Sequence, residues 1–175
     1  MYQKFQADQL FTGKTLLQSH STNEHGQRLA SPVLIVKDNG VIENIVDIGE
    51  AGDDVQQLKG LLTPGMVNSH CHLELSHMKD MIPAHTGLQE FVKQIVSLRK
   101  VDEQTIYDAI ENAEAEMYRN GIVAVGDICN TLDTLSQKKK NNIAYYNFVE
   151  VYDLDPSRAT DRFNSGVENQ QQYQS

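Results

Sequence analysis

Along residues 1–60, apolar residues fall into short runs rich in β-formers and broken by turn residues, as in "ADQLFTGKTLL" and "SPVLIVKDNGVIENIVDIG". Runs of this length between Gly, Asp and Asn read as strands. Asn39-Gly40 lies between "VLIVKD" and "VIENIV", a hairpin signal whose two central residues are expected to take positive φ. A small, separate antiparallel sheet is the expected product.

The pattern changes at Gly60. "GLLTPGMVNSH" is a near-continuous apolar strand, interrupted by Pro64-Gly65. Such a run is expected of a strand buried on both faces of a parallel sheet. "TGLQEFVKQIVSLRK" then spaces Leu88, Phe91, Val92, Ile95 and Leu98 as one helical stripe. "VDEQTIYDAIENAEAEMYRNG" repeats that spacing with Ile106, Ile110, Ala113 and Met117. Asp102 is its N-cap and Gly121 its stop. A strand "IVAVGDI" (122–128), a short helix near 131–139 and a strand "IAYYNFVEVY" (143–152) follow. Asp155-Pro156 opens a last helix, with proline at its first position. Strands alternating with helices over residues 61–175 define the α/β class.

A length of 175 residues allows one ordinary domain, or a small domain joined to part of a larger one. At 39% hydrophobic and 22% charged, the composition is that of a folded chain. Lys+Arg of 15 against Asp+Glu of 24 gives a net charge of -9, which argues against nucleic acid or an anionic membrane as partner. Lys138-Lys139-Lys140 reads as a solvated helix end. No apolar leader region and no membrane-span-length apolar stretch stands in the sequence. Cys71 and Cys129 are too few for a disulfide framework, so both are expected reduced and buried in a cytoplasmic protein.

The chemistry centres on His70 and His72. Alternation along a strand puts both imidazoles on one face and Cys71 on the other. Side by side at a strand end, both can reach one ion at ~2.0–2.1 Å, the zinc–nitrogen distance. Two solvated polar residues at a strand end would leave the same trace. The carboxyl end of a buried strand, where α/β sites collect, favours metal. "DQLFTGKT" (8–15) ends like a phosphate-binding loop, yet Asp8 stands where that motif needs its first glycine and no helix pattern follows.

The stretch "PGMVNSHCHLELS" resembles the first-strand signature of the amidohydrolase superfamily, matching it at Pro64, Gly65, Met66, Val67, Asn68, His70, His72 and Leu73. The resemblance is to the branch of cytosine-deaminase-like, chlorohydrolase-like and aminofutalosine-type deaminase enzymes. "ADQLFTG" and "VLIVKDNGVIENI" are similar to that family's β-sandwich prelude, and "GIVAVGD" to its second barrel strand. The implied fold is a small β-sandwich segment (1–60) followed by the first three βα units of a (β/α)₈ TIM barrel (61–175). The implied activity is metal-dependent hydrolysis of a carbon–nitrogen or C–Cl bond, foremost deamination of a heterocyclic amine by a metal-activated water. The implied cofactor is one divalent ion, zinc first, with iron or manganese as alternatives. The partner is a small-molecule substrate, with a homo-oligomer possible.

That family takes further ligands and its acid/base residues from later strands, so the resemblance places the principal catalytic residues beyond Ser175. The chain on its own is then expected to be inactive. Among residues present, Glu74, Leu88, Phe91 and Glu150 are the candidate substrate contacts. Glu74 can equally be an ordinary loop carboxylate, and Leu88 and Phe91 can be core at helical spacing. Asp127 is expected to pair with a backbone amide or a barrel lysine. His77 and His85 read as loop residues. The rival functional reading is a non-catalytic truncated product or a partner-binding fragment.

Overall fold

The computed structural model describes residues 2–153 and 155–174. Two compact units divide at Pro64 and Gly65.

The first unit is built from β1 (Tyr2–Gln6), β2 (Gln9–Phe11), β3 (Leu16–Leu17), β4 (Pro32–Lys37), β5 (Ile42–Asp47), β6 (Gln56–Gln57) and β7 (Leu61–Leu62). They form a four-stranded sheet, β5-β4-β1-β6, and a three-stranded sheet, β3-β2-β7. Leu10, Leu17 and Leu29 are fully buried together, with Leu34, Ile45 and Leu62 packed against them. The β4–β5 hairpin forms where Asn39-Gly40 predicts it, but in a different turn. Only Gly40 takes positive φ, at 81°, and its amide donates to Lys37 O at 2.8 Å. Lys37 N in turn bonds Val41 O at 2.8 Å, so one left-handed glycine closes the loop.

The second unit contains β8 (Met66–Cys71), α1 (Leu88–Leu98), α2 (Glu103–Arg119), β9 (Ile122–Cys129), α3 (Leu135–Lys138), β10 (Ala144–Val149) and α4 (Ala159–Gln174). A 3₁₀ helix at Leu73–Met78 follows β8 directly, and another at Pro156–Arg158 leads into α4. The strands form one sheet in the order β10-β9-β8, parallel throughout. Local chemistry explains the helix ends. Asp102 caps α2 by accepting from Thr105 N at 2.9 Å, and Gly121 beyond its end takes φ 79°. Asp155 Oδ1 accepts from Ser157 N at 2.9 Å, with Pro156 inside the first turn.

Three expectations change. The single strand expected over "GLLTPGMVNSH" is two strands: β7 pairs with β2 in the first unit, and β8 begins only at Met66. Pro64 has no amide to give a ladder. A Cβ on Gly65 would lie 2.2 Å from Val123 Cγ1, so the break needs both residues. Secondly, β8 is not buried on both faces. Met66 and Val67 are exposed, as are Tyr146 and Phe148 on β10. Thirdly, the lysine run is not uniformly solvated: Lys139 and Lys140 are exposed, but Lys138 is 7% exposed. Among the described residues, no helix is long and apolar enough to cross a membrane.

Candidate metal centre

The register of β8 on β9 decides what the histidines face. Asn68 stands opposite Val125, and Cys71 opposite Asp127, so three steps on β8 match two on β9. The bulge falls at Ser69–His70. Asn68 and Cys71 thereby share the side of Val125, Asp127 and Cys129, which packs against the helices; Asn68 Nδ2 reaches Met117 Sδ on α2 at 3.8 Å. His70 and His72 are left for the opposite, open side, the side of Gly126, Tyr146 and Phe148.

Their ring centroids lie 5.4 Å apart, at a tilt of 54°. His70 is exposed and His72 half-buried. His72 Nδ1 is buried without a hydrogen-bond partner, and a nitrogen so placed suits coordination. Imidazole nitrogen suits zinc and iron alike, so the pair fits a divalent ion. It is a partial set: among the described residues no group of three or more His, Cys, Asp or Glu is placed to hold one. His77, in the 3₁₀ helix, also has both ring nitrogens buried and unpartnered.

Gly126 makes the bulge possible. An added Cβ would meet Ser69 O at 2.8 Å and Phe148 Cε2 at 3.3 Å, and the first of these is backbone. Gly126→Ala is expected to push the Ser69 carbonyl, cost ~1–3 kcal/mol from overpacking, and loosen metal binding at the adjacent His70. Urea unfolding alongside a zinc titration reads both effects.

Behind the histidines lies a layer of buried charge. Asp127 is fully buried, and its Oδ1 accepts from Leu73 N at 2.8 Å while Oδ2 faces Lys138 Nζ at 2.5 Å. Asp127 thus does both things expected of it. Lys138 Nζ also reaches Asn147 Oδ1 at 2.7 Å and Cys129 Sγ at 3.1 Å, and lies over the rings of Tyr145 and Tyr173. Burial, reinforced by the charge of Asp127, pushes the Cys71 thiol up to about 12 and Cys129 up to about 11.

Cys129 gives a pH prediction. Its folded pKa lies above the unfolded value of 9.0, so its contribution to stability is whole below pH 9 and is lost as pH climbs through about 11. Urea midpoints at pH 8, 9, 10 and 11 should fall more steeply in the native chain than in Cys129→Ala. Equal slopes would refute the assignment.

Glu74, expected near the substrate, turns inward and is 2% exposed. Its Oε2 accepts from Asn130 N at 2.9 Å, Thr131 N at 2.8 Å and Thr131 Oγ1 at 2.8 Å. Its Oε1 meets Arg99 Nη2 at 3.3 Å. Glu150 is exposed and meets the same loop, with Asn130 Nδ2 donating to its carboxylate at 3.2 Å. Glu150, Arg99 and Asn130 line a cavity of about 780 Å³. Leu88 and Phe91, 76% and 43% exposed, are not core; they line a different cavity, of about 420 Å³, with Pro83 and His85. Neither cavity is lined by His70 or His72. Sequence reasoning missed Arg99, Asn130, Thr131, Lys138 and Asn147. For Asp127 a signal existed, since a charged residue alternates with Val125 and Cys129 on one strand face.

A parallel sheet presenting paired imidazoles at the carboxyl end of one strand defines an α/β protein of the kind whose polar sites gather at strand ends. The chain belongs to the amidohydrolase family, whose model matches residues 61–153. It is 29% identical over 124 residues to 5-methylthioadenosine/S-adenosylhomocysteine deaminase of Haloarcula marismortui. That match covers 68% of this chain and 27% of the relative's length. Helicobacter pylori aminofutalosine deaminase in complex with methylthio-coformycin is similar in structure, with TM-score 0.66 and 19% identity over 95% of this chain and 39% of that one. Guanine deaminase of C. acetobutylicum with bound guanine gives TM-score 0.71 and 14% identity, over 99% and 42%. Atrazine chlorohydrolase of Arthrobacter aurescens complexed with zinc gives TM-score 0.59 and 15% identity, over 88% and 37%. At these identities the structural likeness is one of fold.

Proposed function

We propose that the second unit, from Gly65 onward, holds the first three βα units of a TIM-barrel hydrolase that deaminates a heterocyclic amine, with C–Cl hydrolysis as the neighbouring chemistry. The observation that carries this is the His70–His72 pair on the open face at the end of β8, inside the stretch matched by the family. A deaminase relative and deaminase-like folds support the carbon–nitrogen assignment.

His70 and His72 would hold one divalent ion, zinc first, with iron or manganese as alternatives. When bound, the ion supplies Lewis acidity and brings the pKa of a coordinated water from ~15.7 to about 7. The chain's own residues set the place for that chemistry. His70 and His72 fix its position at the strand end. The open sheet face beside them, with Tyr146 and Phe148, offers aromatic surface against which a planar heterocycle can lie. Glu150, Leu88 and Phe91 enter the reading as substrate-facing groups of the mouth, and Glu74 as the residue that holds its loops.

Two imidazoles are fewer than the three protein ligands of a catalytic zinc site. The 175-residue chain by itself is therefore expected to retain little zinc on dialysis and to release no ammonia from aminopurines or aminopyrimidines. A longer polypeptide that adds the remaining ligands should do both. Stoichiometric zinc and turnover from a monomer of the 175-residue chain would overturn the division of the site.

A further inference from the structure

We propose that Asp127, Lys138 and Asn147 form a positioning relay that sets the orientation of His72 from the far side of the sheet. The proposal rests on the reading of His72 as a metal ligand, but its structural half stands without metal.

His72 sits where strand becomes 3₁₀ helix, with φ -122° and ψ 73°, values that belong to neither element. Such a residue has no ladder of its own to hold it. What fixes it is the peptide plane that follows. The carbonyl of His72 accepts from Leu75 N at 2.9 Å, and the amide on the same plane, Leu73 N, donates to Asp127 Oδ1 at 2.8 Å. With both ends of the plane bonded, ψ of His72 is locked, and the imidazole leaves the backbone in one direction. A ligand must be held to within ~0.5 Å and ~10–20° to serve, so this lock matters more than its single hydrogen bond suggests.

Asp127 is itself held. A Lys ammonium has three protons to donate, and Lys138 Nζ meets three acceptors: Asp127 Oδ2 at 2.5 Å, Asn147 Oδ1 at 2.7 Å and Cys129 Sγ at 3.1 Å. The bonds run from Asn147 on β10, through Lys138 on α3 and Asp127 on β9, to the residue after His72. All lie on the helix side of the sheet, whereas the imidazole points to the open side. Asp127 and its partners therefore act on His72 through the backbone, without touching the metal position. His70, whose amide lies 3.3 Å from Asn68 Oδ1, stands outside the relay.

The test uses the 175-residue chain with ¹⁵N-labelled histidine, read by long-range ring correlations without metal and then during a zinc titration. Lys138→Met leaves Asp127 without its cation. It should shift the His72 ring signals, spare those of His70, and weaken zinc binding about 10-fold or more, the usual scale for supporting shells. Lys138→Met combined with Asp127→Asn removes the stranded charge while keeping an acceptor for Leu73 N, and should restore the His72 signals toward native. Asn147→Ala, the mildest change, keeps the fold under test should the lysine variant unfold, and should shift His72 in the same direction by less. Unmoved His72 signals in folded variants, or His70 and His72 moving together, would overturn the relay. Histidines blind to zinc in a longer polypeptide carrying the remaining ligands would instead sink the metal reading, and the metal-free shifts in the 175-residue chain would still decide the relay.

Discussion

His72→Ala should abolish metal retention and turnover together in a polypeptide carrying the complete ligand set, a loss exceeding the ~10–100-fold that changing a mere supporting residue costs. The expectation follows from the geometry of the pair. His70 and His72 share the open face beyond the Ser69–His70 bulge, with ring centroids 5.4 Å apart. Removing one imidazole leaves a single donor on this strand, and a site of three protein ligands tolerates no such loss. His70→Ala should behave alike. Metal analysis after dialysis and ammonia release measure the two effects, and circular dichroism separates them from unfolding. A folded His72→Ala protein with native zinc content and native turnover would refute the assignment.

The second large effect is on stability. Glu74→Ala should destabilise the second unit by about 3–5 kcal/mol, the range for breaking a buried ion pair by removing one partner. The carboxylate takes two backbone amides and a hydroxyl from Asn130 and Thr131 besides the Arg99 guanidinium. Truncation leaves the part-buried amides of Asn130 and Thr131 without this acceptor, each at a cost of up to ~1–3 kcal/mol, whereas the Thr131 hydroxyl keeps Asp133 Oδ2 at 2.8 Å. Glu74→Gln keeps one acceptor oxygen and should lose less. The readout is the shift in urea midpoint, and a loss below about 1 kcal/mol in Glu74→Ala would show that the carboxylate carries no weight in the loop. Glu74 also follows His72 by two residues, so a loosened Glu74 should weaken zinc binding in the same variant.

The alternation of strands and helices from Met66 onward was legible in the sequence, because each element declares itself within one or two turns of its own residues. Leu88, Phe91, Val92, Ile95 and Leu98 mark one stripe whatever the rest of the chain does. Asp102 caps its own helix three residues on, and Gly40 and Gly121 supply left-handed backbone where the local turn needs it. The stretch around the His-x-His pair is local in the same sense: its resemblance to the amidohydrolase family was readable directly, and the family model matches there.

What surrounds the pair was decided by tertiary structure alone. Leu73 meets Asp127 across 54 residues of sequence, and Glu74 meets Thr131 across 57. Such contacts depend on which strand lies beside which and in what register, and a slip of one residue would turn Asp127 to the other face. The bulge that separates Asn68 from Cys71, and the glycine at 126 that permits it, exist only in the pairing of β8 with β9. Lys138 shows the same limit most directly. In sequence it is the first of three equivalent lysines; in the fold it alone turns inward, because the last turn of α3 aims it at Asp127 and Asn147 while its two neighbours face water. Short-range pattern thus marks the helices, the strands and the imidazole pair, whereas the buried charges behind that pair answer to partners on other elements, from nine to fifty-seven residues away, which no local periodicity encodes.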